Sequence, residues 1–437
     1  MYISQCIIAK NEEENIGYCL SHLKTVVDEQ IVVDSGSTDR TVEIAEKLGA
    51  KIFHFDWIND FSAARNFALD QAKGDWIIFL DCDEYFTESS VGLIKKYIKE
   101  INGNRNINGI YGEMINIDRD KNAIGISKNI SPRIFRKRKN IRYRKPIHEV
   151  LSDFNREEAN LAVLAVDRGA NLKILHTGYD KGVISEKNKN ERNILMLKIE
   201  LEQNPTDSQL NLYISKSYFM DGAYEEALEY ARNALKYMDE SKQLLFYPII
   251  YSTMLTSMFL TRATYDEMKV VYEEAVSKYA FYPDYYRVMG VTEMREGNNE
   301  RAIELLEKCI ECCKNYNSFV ESLAAGQIDK VYSELLNAYI RTDNKPRIVE
   351  ISVALLNGEK YSYENLFILI RTLLTSESEE NIIEFLTKLY DYTKFKDKLY
   401  LLKVSEKCEN DKMISYFNSI LSEEEKQAVK GIQYEKK

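Results

Sequence analysis

Gly74-Asp75-Trp76-Ile77-Ile78-Phe79-Leu80-Asp81-Cys82-Asp83-Glu84 is an apolar run that ends in a cluster of acids. Successive apolar residues from Trp76 to Leu80 suit a strand covered on both faces, and the acids begin where such a strand leaves the core. In open α/β sheets that edge is where ligands bind. On an extended backbone residues i and i+2 point the same way, so Asp81 and Asp83 face one cavity while Cys82 points elsewhere. Paired hard oxygen donors suit Mg²⁺ or Mn²⁺, above all a metal that also binds substrate phosphates. The competing reading is a solvated acidic turn, which Asp-x-Asp forms by chance in any acidic chain.

Working outward, the first quarter alternates strand and helix patterns, the mark of a parallel sheet wrapped by helices. Strands are expected at Ile3 to Ala9, Gln30 to Asp34 and Lys51 to Phe55, before the run from Trp76. Between them lie helices from Asn15 to Val27, from Thr41 to Leu48 (closed by Gly49) and from Ser62 to Lys73. Strand patterns return at Gly109 to Ile117 and Ile130 to Phe135. Neither a G-x-G-x-x-G turn nor a P-loop follows the first strand, which removes the main support for a dinucleotide or P-loop site. Instead come Ala9-Lys10-Asn11-Glu12-Glu13-Glu14-Asn15 and, after strand two, Val33-Asp34-Ser35-Gly36-Ser37-Thr38-Asp39-Arg40-Thr41. Thr38 or Asp39 can cap the helix near Thr41, but capping does not explain Asp34 at the end of a buried strand.

The 437 residues are 45% hydrophobic, enough for two or three packed domains. A formal charge of −10 disfavours a nucleic-acid surface. No apolar run approaches the length of a membrane span and strand-like sequence starts at Tyr2, so a cytoplasmic protein is expected. The cysteines, at 6, 19, 82, 309, 312, 313 and 408, lack zinc-site or disulfide spacing.

AKNEEENI, VVDSGSTDRTVEIA and DCDE after an apolar strand together resemble the nucleotide-sugar domain of family 2 glycosyltransferases, with its α/β, GT-A fold. Trp57-Ile58-Asn59-Asp60-Phe61-Ser62-Ala63-Ala64-Arg65-Asn66 is similar to a W-x-x-D-F-S-x-A-R-N segment of a bacterial branch that includes the glycosyltransferases of sublancin-type bacteriocins, which glycosylate Cys or Ser of a small peptide. The resemblance implies a UDP-sugar site lined by Ala9, Glu12, Asp34 and Ser35, with Asp34 and Glu12 on the uridine. It adds Asp81 near ribose and metal, neighbouring Cys82, and Asp83 on a divalent Mg or Mn ion. Ser62 can act as N-cap, and Arg65 beside Asn66 offers a planar donor fork suited to phosphate.

Lys145-Pro146-Ile147-His148-Glu149-Val150 and Leu175-His176-Thr177-Gly178-Tyr179 echo segments of the same branch. Among four histidines in the chain, His176 falls where several GT-A enzymes place a third metal ligand. Inversion at a sugar carbon needs a carboxylate opposite the leaving diphosphate. Glu149 is the first choice for that base and Asp60 the second. The basic run Arg133 to Lys145 reads as a solvated rim or as a means of steering a diphosphate.

Helical periodicity takes over near Asn188, placing a domain boundary between 187 and 188. Ser215, Tyr218, Gly222, Tyr224, Ala227, Ala231 and Ala234 have tetratricopeptide spacing, partly repeated by Gly290, Gly297, Ala302 and Cys309. Such repeats offer a concave face for a peptide or a second copy of the chain, a homodimer. The expectation is inverting transfer of a hexose, glucose first among them, from a UDP-sugar to Cys or Ser of a peptide. The alternatives are a family 2 enzyme with a lipid or polysaccharide acceptor and a non-catalytic helical scaffold.

Overall fold

The computed structural model describes residues 1–117, 123–128, 132–155, 165–168, 171–177, 183–239, 246–318, 320 and 322–434. Gly178 and Tyr179 of the second histidine motif, and the start of the strand expected from Ile130, lie outside them. The chain divides into two compact units, Met1–Asp221 and Gly222–Lys437.

The first unit is built on a mixed sheet. Parallel strands β1 (Ile3–Ala9), β2 (Glu29–Asp34), β3 (Lys51–His54) and β4 (Trp76–Phe79) alternate with helices α1 (Ile16–Ser21), α2 (Thr41–Lys47) and α3 (Phe61–Gln71). The order β3-β2-β1-β4 puts the chain reversal between β1 and β4, the crevice where open sheets of this kind bind ligands. All four residues of β4 are buried, as an apolar run with helices on both faces should be. The expected helix from Asn15 to Val27 holds only over α1. Beyond it the β-branched Thr25, Val26 and Val27 lead into turns, and the Asp28 carboxylate accepts from the Ile3 amide at 2.8 Å.

A strand β5 (Glu84–Phe86) and helix α4 (Glu88–Asn102) follow the acid cluster. The strand pattern from Gly109 to Ile117 is not one strand but two, β6 (Gly109–Tyr111) and β7 (Glu113–Ile117), which belong to different sheets. Gly112 is the crossing point: a Cβ there would stand 1.9 Å from the Leu172 carbonyl oxygen, so only glycine admits the approach. The remaining strands are β8 (Ala123–Lys128), β9 (Ile134–Arg136), β10 (Ile141–Arg144), β11 (Val150–Asp153), β12 (Ala165–Asp167) and β13 (Lys173–His176). β9, antiparallel, joins β4 to β6, and β12 closes that edge of the main sheet. A second sheet runs β5-β13-β7-β8, and β10 with β11 forms a hairpin.

Helices α5 (Val183–Gln203) and α6 (Ser208–Met220) complete this unit. The expected boundary at 187/188 thus falls inside α5, and the division lies at 221/222, because these two helices pack with the sheet domain. In the second unit α7 (Tyr224–Lys236) buries Ala227, Ala231 and Ala234, and α8 (Tyr247–Leu260) and α9 (Tyr265–Tyr279) precede the pair α10 (Pro283–Glu296) and α11 (Asn299–Lys314). Gly297, at φ 88°, caps α10 in the left-handed conformation. Ala302 is fully buried, and a Cβ on Gly290 would meet Leu306 Cγ at 2.8 Å, so small residues set how closely α10 and α11 approach. Tyrosine rings fill inner positions, and the Tyr285 hydroxyl donates to the Pro248 carbonyl at 3.0 Å. Further helices run from Leu323 to Tyr434, and those after Val349 enclose a separate apolar cluster that includes Leu369, Leu401 and Phe417.

Candidate active site

The ends of β1 and β2 stand side by side, with Ala9 opposite Asp34. Their loops are stitched together: Ser35 donates its amide to the Ala9 carbonyl at 3.0 Å, Thr38 its amide to Asn11 Oδ1 at 2.8 Å, and Glu12 its amide to Thr41 Oγ1 at 2.7 Å. Asp39 Oδ1 accepts from the Thr41 amide at 3.0 Å within the turn, while the N-cap position of α2 falls on Arg40 and carries no side-chain cap bond. Asp34 is only 4% exposed and accepts from the amides of Gly36 and Ser37 at 3.2 and 3.1 Å. It therefore shapes the turn, and His54 Nδ1 lies 3.4 Å from the same carboxylate. Glu12 Oε2 accepts from Asn15 at 2.8 Å.

At the end of β4, Asp81 meets a buried arginine. Arg65 Nη2 donates to Asp81 Oδ1 at 2.8 Å and its Nε to Glu149 Oε1 at 2.6 Å. The guanidinium lies 4.8 Å from the Phe79 ring centroid and 5.4 Å from that of Tyr143. Arg65 was expected to present its fork to phosphate; instead two arms hold two carboxylates that are 68 residues apart in sequence. Burial opposes its charge, but Asp81 and Glu149 more than offset that and raise its pKa. Burial likewise opposes ionisation of Asp81, and the Arg65 and Arg133 charges win, so its pKa is lowered.

Glu149 arrives through the β10–β11 hairpin, which is clasped to α3. The Phe61 amide donates to the Pro146 carbonyl at 2.8 Å, and Ser62 Oγ donates to the Lys145 carbonyl. Asn66 pairs both ways with the Tyr143 backbone, each bond 2.9 Å. The W-x-x-D-F-S-x-A-R-N and K-P-I-H-E segments are thus one structural unit. In the loop between the strands, Lys145 (φ 73°) and His148 (φ 53°) are left-handed. Non-glycine residues held so cost on the order of 1–3 kcal/mol each and persist only where the surroundings over-determine them.

The second sheet delivers His176. Its register sets His176 opposite Glu84, and the Thr177 amide donates to the Asp83 carbonyl at 3.0 Å. His176 Nε2 therefore sits 3.3 Å from Asp83 Oδ2, with Nδ1 3.0 Å from Asn116 Oδ1. Desolvation alone would depress the imidazole pKa; the hydrogen bond and charge of Asp83 reverse this and raise it. No group of three or more His, Cys, Asp or Glu is placed to hold a metal among the described residues. Asp83 and His176 offer a carboxylate and an imidazole side by side, and Mg²⁺-type ions are commonly held by one or two protein groups, with phosphate and water completing the shell. The pair fits such an ion.

Two members of the site went unassigned in the sequence. Glu84, 2% exposed, takes a bidentate bond from Arg133, whose Nε lies 2.8 Å from Oε2, and Arg133 Nη2 is also 4.0 Å from Asp81 Oδ2. Burial raises the Glu84 pKa despite that partner. Glu84 stood within the acid cluster and Arg133 opened the basic run, but nothing in their spacing links them. The rest of that run is not a free rim: Arg136 donates to carbonyls at the end of α4, including Ile101 at 2.8 Å, Arg142 pairs with Asp70 at 2.8 Å, and Arg144 lies over Phe154.

Three expected site residues are placed in supporting positions. Asp60, not Ser62, is the N-cap of α3, its Oδ1 accepting from the Ala63 amide at 2.9 Å. Asn66 uses both its polar atoms on the Tyr143 backbone, which ties it to the β10–β11 hairpin. Cys82, 5% exposed, points to the Ile8 carbonyl, and burial drives its thiol pKa up, so it packs.

Residues 4–155 match the model of glycosyl transferase family 2. The stretch that matches glycosyl transferase family 2 lies on the mixed α/β sheet of the first unit, and a long helical region follows it. A TPR repeat-containing protein of Synechococcus elongatus is 31% identical over 239 residues, 54% of this chain and 56% of that protein. The SPbeta prophage-derived glycosyltransferase SunS of Bacillus subtilis is 26% identical over 281 residues, 62% of each chain. The chain thus spans roughly three fifths of the length of these relatives. Glucosyl-3-phosphoglycerate synthase from Mycobacterium tuberculosis overlaps 27% of this chain and 44% of its own, at 24% identity and a TM-score of 0.22.

Proposed function

We propose that this chain transfers a hexose, glucose first among the candidates, from a UDP-sugar to a Cys or Ser side chain of a small peptide, with inversion at the sugar carbon and with Mg²⁺ or Mn²⁺. The observation that carries the reading is the convergence of Asp81, Asp83, His176 and Glu149 at the ends of β4, β13 and the β10–β11 hairpin, beside the β1 and β2 loops. The W-x-x-D-F-S-x-A-R-N segment supports the peptide acceptor, as does the helical second unit, which supplies a surface for a peptide or for a second copy of the chain.

In this account Ala9, Glu12, Asp34 and Ser35 receive the nucleoside. Asp83 and His176 hold the divalent ion, which would supply charge neutralisation for the diphosphate as it leaves. Arg65 does not touch the donor; it fixes Asp81 and Glu149 relative to each other, and pre-set geometry of this kind is a large part of rate enhancement. Glu149 Oε1 is taken by Arg65, so Oε2 is the oxygen that accepts the proton of the attacking side chain. A serine needs that acceptor throughout, whereas a cysteine, with a thiol pKa near ~8.5, already provides some thiolate.

The test is UDP release from a panel of UDP-sugars, with peptides bearing one Cys or one Ser as acceptor. Release that requires Asp83, His176 and a divalent ion supports the reading. Equal release by Asp83→Ala overturns the metal assignment, and release only with glycan or lipid acceptors overturns the peptide.

A further inference from the structure

The loop that presents Glu149 is held from outside the sheet domain's own sequence. Its two left-handed residues, Lys145 and His148, are each fastened to α6. Lys145 Nζ donates to Gln209 Oε1 at 2.9 Å, Gln209 Nε2 donates to the Tyr213 hydroxyl at 2.9 Å, and the Tyr213 ring stacks on His148 with centroids 4.0 Å apart and planes 32° apart. Gln209 and Tyr213 are one helical turn apart, so a single face of α6 grips both ends of the strained segment. Asp207 caps that helix by accepting from the Leu210 amide at 2.9 Å, which fixes where the face begins. Between the gripped residues, α3 holds the loop's other side through the Pro146 carbonyl. Glu149 follows directly on His148.

We propose that Tyr213 is a positioning residue for transfer, holding His148 in its left-handed conformation so that Glu149 stays on Arg65 with its second oxygen turned to the acceptor. The helical hairpin α5–α6, which repeat spacing alone would assign to the C-terminal region, is on this view part of the catalytic unit. The proposal rests on the function given above, but its structural half does not need it. Strain at a non-glycine residue is kept only where something repays it, and the clamp on the loop is what holds it here. Loss of the ring frees His148 to relax toward negative φ, which swings the next side chain away from Arg65.

The test uses the full chain with Tyr213→Ala and Tyr213→Phe. The phenylalanine keeps the stack and loses only the hydroxyl, so it separates the ring from the hydrogen bond. Expected for Tyr213→Ala are a kcat at least tenfold lower, a UDP Kd within twofold of wild type, and faster amide hydrogen exchange at residues 145–150. Tyr213→Phe is expected to restore kcat to within threefold and to restore slow exchange. Unchanged exchange at 145–150 in Tyr213→Ala overturns the proposal, as does a parallel loss of UDP affinity and kcat, which would mark general damage to the unit. If wild-type protein moves no sugar to any acceptor, the functional reading fails on its own, and the exchange result still decides what Tyr213 does.

Discussion

Replacing Arg65 by methionine keeps much of the side-chain volume and removes the charge that joins Asp81 to Glu149. The residue is 6% exposed, so the loss is felt in a dry environment. Asp81 retains 37% side-chain exposure, and that arm belongs with surface pairs, at about 1 kcal/mol. Glu149 retains 16%, and stranding it resembles breaking a buried pair, for which about 2 kcal/mol is a discounted share of the usual ~3–5. Contacts with the Phe79 and Tyr143 rings add roughly 0.5–1 kcal/mol. The sum is about 3.5–4 kcal/mol, which for a domain of this size lowers Tm by roughly 7–16 °C at ~2–4 °C per kcal/mol. Arg65→Lys keeps the charge, but one ammonium cannot reproduce the Nε and Nη2 fork, and about half of that loss is expected. The sign with pH follows from Asp81. Its pKa is depressed in the folded state, so its contribution is present above the unfolded value of about 3.9 and fades as pH falls through the lower folded value. The gap between wild type and Arg65→Met should therefore be full at pH 7 and shrink towards pH 3. Thermal unfolding across that range, with transfer assayed at pH 7, is the experiment. A loss below 1 kcal/mol with transfer within threefold of wild type would refute the bridge as the organiser of the site.

Gly112→Ala places a Cβ against the Leu172 carbonyl and should cost at least ~3 kcal/mol, read as loss of soluble folded protein or a large fall in Tm. Gly290→Ala meets only the Leu306 side chain first and should cost about 1–2 kcal/mol in unfolding of the second unit, with UDP affinity untouched. A fragment ending at Asp221 should melt cooperatively, whereas one ending at residue 187 cuts α5 and should not; the reverse would contradict the boundary at 221/222. Glu149→Gln should slow a serine acceptor at least tenfold more than a cysteine acceptor, and equal effects would sink the base role.

Local pattern carried the reading wherever function and fold draw on the same residues. β1, β2 and β4 are short buried strands whose ends or following residues, Ala9, Asp34 and Asp81, stand at the candidate site, so one local pattern pointed to strand and site together. Motif resemblance singled out His176 and Glu149, which the fold places beside Asp83 and Arg65. What it could not carry was pairing over long sequence separations: Arg133 with Glu84, or α3 with the β10–β11 hairpin, depends on strand order and register, which no local spacing encodes. Arg65 shows the consequence. Its chemistry suits phosphate and carboxylate alike, and only the fold shows that two carboxylates reach it first. Gly112 is a similar case, because a strand pattern unbroken from Gly109 to Ile117 conceals a change of sheet that depends on Leu172, sixty residues on. The division at 221/222 was hidden for a related reason: α5 and α6 have the periodicity of the helices after them, and their place in the first unit is set by contacts such as His148 with Tyr213.

The most direct test of the central claim is intact-mass spectrometry of small Cys- and Ser-containing peptides after incubation with the full chain, Mg²⁺ or Mn²⁺ and a panel of UDP-sugars. The account predicts a gain of one or more hexose residues, lost in Asp83→Ala and in Arg65→Met. Peptides that keep their mass with every donor, while a glycan or lipid acceptor gains sugar under the same conditions, would contradict it.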